Sequence, residues 1–378
     1  MSPCLKSDGK SRDIASRTTA LLGDENFCSS LLRRIEDTLG GRSMRFMEVC
    51  GTHTVAIFQS GLRSLLPSNI VHLSGPGCPV CVTHEREVGA FLEIARKDSV
   101  ILATFGDLIR VPGSGGDTLK KARSEGADIR IVYSPLDALR VAEENPDREV
   151  VFPGIGFETT APLSAAVIAT ARSRGIKNFS ILSLHKLVPP ALRSLILSET
   201  TKIDAFLLPG HVAAVTGPRI FDFLSSEFGK PAAVGGFEPA DILLALLEMS
   251  KALKNGAKQT INAYPRAVSE DGNPRARELM REVFSVCDSE WRGLGKIEKS
   301  GLRIREKYAE YDAQNKFSIS FGESKPLPGC KCGEVLKGVL SPADCPQFGK
   351  SCTPASPIGP CMVSTEGSCA ARYKYGDF

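Results

Sequence analysis

Residues 149–160, EVVFPGIGFETT, join a near-continuous apolar run, Val150–Ile155, to a polar loop, Gly156-Phe157-Glu158-Thr159-Thr160. A run this apolar suits a strand covered on both faces, as in a parallel sheet flanked by helices. The pattern recurs on either side: RFMEVC (45–50), IVHLSG (70–75), VILATF (100–105), IRIVYS (129–134), FSILSL (179–184), AFLLPG (205–210) and AAVGGF (232–237). Segments of helical periodicity lie between them, among them Val82–Lys97 and Leu136–Glu144. Strand and helix alternate, which indicates the α/β class. Eight strands suit two parallel sheets, and Ser134–Asp147 is the expected crossing between them.

Several of these strands end in related loops. Cys50-Gly51-Thr52-His53-Thr54 follows the first run, Gly156–Thr160 the fifth, and Gly210-His211-Val212 the seventh. The carboxyl ends of parallel strands are where open α/β sheets bind ligands. Beyond Gly236 the texture changes. Asp241–Leu253 and Arg275–Phe284 have helical periodicity, and from Pro326 the chain is rich in Gly, Pro, Ser and Cys. That last segment has too few large apolar residues for a core of its own, so something else must order it. The expected organisation is a flexible extension at 1–20, α/β domains at 21–134 and 135–240, and a helical, Cys-rich domain at 241–378.

A net charge of +4 on 378 residues, with no Lys/Arg block, argues against nucleic acid as a partner. No apolar run approaches a bilayer span, and the first twenty residues lack the apolar core of a secretory signal. The cytoplasm is the expected location. Twelve cysteines in a reducing compartment point to metal binding or redox work.

Six of those cysteines occupy the last 49 residues: Cys330, Cys332, Cys345, Cys352, Cys361 and Cys369. Prolines 342, 346, 354, 357 and 360 punctuate the stretch. Zinc knuckles would show paired C-x₂₋₄-C spacings, and this irregular pattern suits a [4Fe–4S] cluster better. Cys330 is the one most easily set aside, which leaves five thiols for four places. Nearer the N-terminus, Cys78-Pro79-Val80-Cys81 has the spacing of a reversible disulfide at a helix start, where a thiolate is stabilised; half of a zinc knuckle is the alternative. Cys50 and His53 can face one pocket, either as soft metal ligands or as nucleophile and base. His211 is a candidate for the same cleft. His72, His84 and His185 read as structural, and Cys4, Cys28 and Cys287 as bystanders. Glu158 is an acid or a cap for the helix that follows it.

Together MEVCGTHT, LSGPGCPVC, PGIGFETTAP, LLPGHVAAVTG, WRGLG and CGEVLKG–DCPQFGKSCTPASPIGPCMVSTEGSCAARY resemble the HypD family of hydrogenase maturation proteins. The likeness runs from about residue 45 to 373. It implies two α/β domains with a cluster-bearing third. It also implies a scaffold, not a conventional enzyme, that works with a small HypC-type chaperone. On that complex the Fe(CN)₂CO unit of [NiFe]-hydrogenase is assembled, with cyanide delivered by a HypE-type protein. Carried over, Cys50 is the iron ligand shared with the chaperone, His53 assists, Cys78 and Cys81 are the redox pair, and Glu366 is a further functional residue. Cys332, Cys345, Cys352 and Cys369 would hold the [4Fe–4S] cluster, with Cys361 the fifth thiol. The competing readings are a free-standing iron–sulfur thiol/disulfide oxidoreductase acting on a client protein, and a zinc protein.

Overall fold

A computed structural model describes residues 24–198, 200–323 and 327–376. The expected extension at 1–20, with Cys4, lies outside the described residues. The strands are β1 (Met44–Glu48), β2 (Ile70–Ser74), β3 (Val100–Thr104), β4 (Asp128–Ile131), β5 (Glu149–Gly156), β6 (Phe179–His185), β7 (Ala205–Pro209), β8 (Ala232–Gly235), β9 (Ile261–Asn262), β10 (Phe284–Trp291) and β11 (Gly295–Ile304). All eight apolar runs form strands. They make two wholly parallel sheets, ordered β2-β1-β7-β8-β9 and β4-β3-β5-β6. Every residue of β3 and β7 is buried, as expected of strands covered on both faces.

The chain does not divide between the sheets where the sequence suggested. Ser134–Asp147 was the expected crossing, but helix Pro135–Glu144 links β4 to β5 within the four-stranded sheet. Its Ala138, Leu139 and Ala142 are buried with Val150 and Phe152 of β5, so the helix covers that sheet. The five-stranded sheet is discontinuous in sequence. It takes β1 and β2, lets the chain leave to build β3–β6, and recovers it at β7. A division at 134/135 therefore falls between two strands of one sheet. Helices Glu25–Leu39 and Pro239–Asn255 cover the five-stranded sheet through Leu31, Ile35, Leu243 and Leu246, packed with Phe46 and Leu207.

The antiparallel hairpin β10–β11 was not foreseen. Its strands alternate buried and exposed residues and carry many charges, so they lack the apolar run that marked the others. Its tip is the WRGLG segment, with Gly293 and Gly295 both at φ +78°. Trp291 is fully buried, donates to Ser300 Oγ at 2.9 Å and stacks on Phe157.

The hairpin also supplies partners for a buried lysine at the end of β6. Lys186 Nζ donates to Glu87 Oε1 (2.8 Å), Ser289 Oγ (2.9 Å) and the Glu290 carbonyl (2.6 Å). Lys186→Met would leave the Glu87 carboxylate buried without its cation, a change expected to cost about 3 kcal/mol. Urea unfolding checks this, and the double variant Lys186→Met/Glu87→Gln should recover part of the loss. Equal stability of the single variant and the wild type would show that the pair contributes nothing.

The C-terminal segment does not build a core of its own, nor does it stand apart. Cys332, Leu336, Cys361 and Val363 belong to the same buried cluster as Val80, Cys81, Val82, Phe157 and Trp291. The Arg110 guanidinium donates to the carbonyls of Pro354 (3.2 Å) and Val363 (3.3 Å). The tail is thus ordered by packing against the α/β units. Among the described residues no helix is long and apolar enough to cross a membrane.

Candidate functional site

Cys50 stands at the end of β1, in extended conformation, as the residue before helix Gly51–Gln59. Its N–H donates to Glu48 Oε2 at 3.0 Å, and Glu48 Oε1 accepts from Thr54 Oγ1 at 2.6 Å. The loop after β2 is laid directly over it. Gly51 N–H donates to the Gly77 carbonyl at 3.0 Å, and a side chain at Gly77 would collide with the Cys50 backbone. That close approach explains the glycine before Cys78, and it puts the CGTHT and GPGCPVC motifs side by side. Cys50 is 7% exposed. Burial pushes its thiol up to about 12, against the N–H groups of His53 and Thr52 that face the sulfur; the Glu366 and Glu48 carboxylates add to the rise.

His53 is fully buried. Its Nε2 lies 2.9 Å from the Gly236 carbonyl, which assigns the proton to Nε2, and Nδ1 finds no hydrogen-bond partner among the described residues. Burial brings its pKa down to about 4, so at neutral pH the ring is uncharged with a free lone pair. Phe237, just after β8, contacts both His53 (centroids 4.8 Å apart) and His211 (4.1 Å). His211 therefore joins the same cleft, though it is exposed where His53 is buried. The tail completes the group. Thr52 Oγ1 donates to Glu366 Oε1 at 3.0 Å, and a Cβ on Gly51 would lie 2.6 Å from that of Glu366. Nothing in the local sequence marks Thr52, Glu48 or Phe237. Only the convergence of the segments after β1 and β8 with the tail reveals them.

The Cys-X-X-Cys motif opens the four-residue helix Pro79–Val82. Cys78 Sγ accepts from Cys81 N–H at 3.3 Å and pairs with Ser364 Oγ at 3.3 Å. A helix start was expected to make an acidic thiol. For Cys81 burial wins, and its pKa lies well above the usual range. Nor is the motif separate from the tail. Cys81, Cys332 and Cys361 share one buried cluster, and Cys330, Cys332, Cys361 and Cys369 line one cavity, so these thiols are neighbours. Cys330, set aside from sequence, is part of this array.

All six tail cysteines line one cavity, with Ile358, Gly359 and Met362. The Cys352 sulfur accepts from the Ile358 N–H at 3.4 Å. Among the described residues no three His, Cys, Asp or Glu side chains converge on a single ion position. Thiolates around a cubane bind different iron atoms and need not converge. Soft donors around one cavity, with a backbone N–H directed at sulfur, fit a [4Fe–4S] cluster.

The family model HypD, described as "Hydrogenase formation hypA family", matches residues 26–376. The hydrogenase maturation factor HypD of Rhizobium leguminosarum bv. viciae is 47% identical over 344 residues, 89% of each chain. That of Escherichia coli K12 is 46% identical over 335 residues, 88% of this chain and 90% of its own. The chain belongs to the HypD family.

Three histidines of this HypD-family chain have structural roles. His84 Nδ1 caps helix Glu85–Ala95, His185 pairs with Ser164 and Ser183, and His72 stacks on Phe46. Glu158, in the HypD segment GFETT, caps a different helix from the one expected. Its Oε1 accepts from Val188 N–H at 3.0 Å, at the start of helix Val188–Leu197, and Oε2 has no partner among the described residues. Burial lifts its pKa to about 7. A carboxyl raised on folding stabilises the fold fully below its unfolded pKa, and this contribution is lost as pH rises through the folded one. From pH 5 to 8 the Glu158 contribution should fall by about 2.5 kcal/mol. Glu158→Gln should remove that dependence, so denaturation of both proteins at several pH values should give curves that separate with pH. Parallel curves would refute the assignment.

Proposed function

We propose that this chain is the scaffold on which an iron atom receives its cyanide and carbonyl ligands during [NiFe]-hydrogenase maturation, in complex with a HypC-type chaperone. The observation that carries the reading is the joining of three thiol motifs from distant sequence: Cys50 beside Gly77, Cys81 against Cys361, and Glu366 on Thr52. Low-spin iron with strong-field ligands suits a soft thiolate, and Cys50 offers one at a strand end. Iron there must displace a tightly held proton, so loading releases acid. Neutral His53 can accept a hydrogen bond through Nδ1 without carrying charge into the site. A groove of about 610 Å³, lined by Thr52, Val55, Arg110, Met362, Glu366 and Tyr373, opens beside this group and is the proposed approach for the chaperone's cysteine and, transiently, for a HypE-type cyanide donor.

Cys332, Cys345, Cys352 and Cys369 would hold a [4Fe–4S] cluster, which when bound supplies single electrons. Cys361 is then the free thiol between the cavity and Cys81. Cys78 and Cys81 can store two electrons as dithiol and release them on forming a disulfide. Their burial, 4% and 0% exposed, disfavours a free-standing reductase, because a client disulfide could not reach either sulfur. The test is metal and acid-labile sulfide analysis with visible absorbance on anaerobically purified protein. Four iron and four sulfide per chain support the reading, and a colourless protein with stoichiometric zinc contradicts it.

A further inference from the structure

The tip of the β10–β11 hairpin touches both thiol motifs with two adjacent residues. Arg292 N–H donates to the Val82 carbonyl at 2.9 Å, one residue beyond Cys81. Its Nε donates to the Thr83 carbonyl at 2.9 Å, and its Nη1 is ion-paired with Glu85. The side chain is 4% exposed. Three contacts thus fasten the tip to the chain leaving the Cys-X-X-Cys helix. The next residue faces the other way. A Cβ on Gly333 would lie 2.8 Å from Gly293 Cα, and a Cβ on Gly293 would collide with Gly333 Cα. Gly333 directly follows Cys332. Backbone therefore lies against backbone, and neither glycine has room for a methyl group.

We propose that the Trp291–Gly295 tip is a positioning clamp that sets the spacing between the Cys78–Cys81 pair and the cysteine-lined cavity. It rests on the proposed function for its purpose, but the geometry can be tested without it. Trp291, buried between Phe157 and the hairpin, anchors the clamp to β5; Arg292 holds the Cys81 side; Gly293 holds the Cys332 side. Any added bulk at Gly293 must push the Cys332 helix and its contact Cys361 away from Cys81. Cys78 and Cys81 lie within one turn of helix and would keep their own spacing.

Gly295 provides the control. It has the same φ of +78°, so alanine there carries the same backbone strain, but a Cβ would meet nothing within 4 Å. The full chain is stripped of iron anaerobically, fully reduced, and oxidised with the azo compound diamide. Two thiols lose two electrons and two protons to the azo group, which becomes the hydrazine, and one S–S bond forms. Peptide mass spectrometry then compares Cys81–Cys361 links with Cys78–Cys81 links. Gly293→Ala should lower the ratio at least tenfold, and Gly295→Ala should leave it as in the wild type. Arg292→Lys keeps the charge but loses the forked contact, and should lower the ratio too. Equal ratios in Gly293→Ala and wild type, or equal losses in the two glycine variants, would overturn the clamp. So would a wild type with no Cys81–Cys361 link. Because no iron is present, failure of the cluster assignment would leave these outcomes unchanged.

Discussion

Cys50→Ser is expected to abolish retention of the cargo iron, lowering its affinity by more than about 100-fold, while leaving the fold and the tail chromophore intact. Removing an outer-shell partner of a metal ligand already costs about 10–100-fold, and this change removes the ligand itself. A serine hydroxyl is harder and far less acidic than a thiol, so it is a poor partner for low-spin iron. The substitution is nearly isosteric. The N–H groups that face the sulfur can face an oxygen equally well, and the Glu48 contact is to the backbone, so unfolding should shift little. The measurement is iron content of the chaperone complex after gel filtration, alongside visible absorbance. Undiminished cargo iron would remove Cys50 from the site.

The second large effect concerns the tail. Serine at Cys332, Cys345, Cys352 or Cys369 should each reduce visible absorbance and acid-labile sulfide to below about a tenth, since the cluster loses one of its four thiolates. Cys330→Ser and Cys361→Ser should keep the chromophore. All six sulfurs line the same cavity, so the ligand set is a chemical question that substitution answers directly. Loss of the cluster in Cys361→Ser with retention in one of the other four would exchange their roles.

The eight strands were legible because most are buried on both faces, which forces an apolar run whatever the topology, and the edge strands β2 and β4 keep such a run although Val71 and Ile131 are exposed. Their allotment to sheets was not. Helix Pro135–Glu144 has the same amphipathic face whether it returns the chain to its own sheet or carries it to another. The β10–β11 hairpin escaped notice because half of each strand faces water. The thiol motifs stood out as residue types at telling spacings. What joins them did not: Gly77 over Cys50, Gly293 on Gly333, and Cys361 against Cys81 are long-range contacts between residues that look ordinary where they stand. Cys81 shows the limit of local reasoning about acidity. A helix start favours the thiolate, but a site buried among other thiols opposes it more strongly. The composition of the tail requires something external to order it, and the α/β units supply much of that through Val363, Leu336 and the Arg110 contacts.

Iron carrying cyanide and carbonyl, held on this chain, would have a vibrational signature of its own. Infrared spectroscopy of the anaerobically purified complex with its chaperone tests it most directly. Bands are expected in the cyanide and carbonyl stretching regions of the wild-type complex, and not in the Cys50→Ser complex. A wild-type complex with both partners and a full complement of iron, but no such bands, would contradict it.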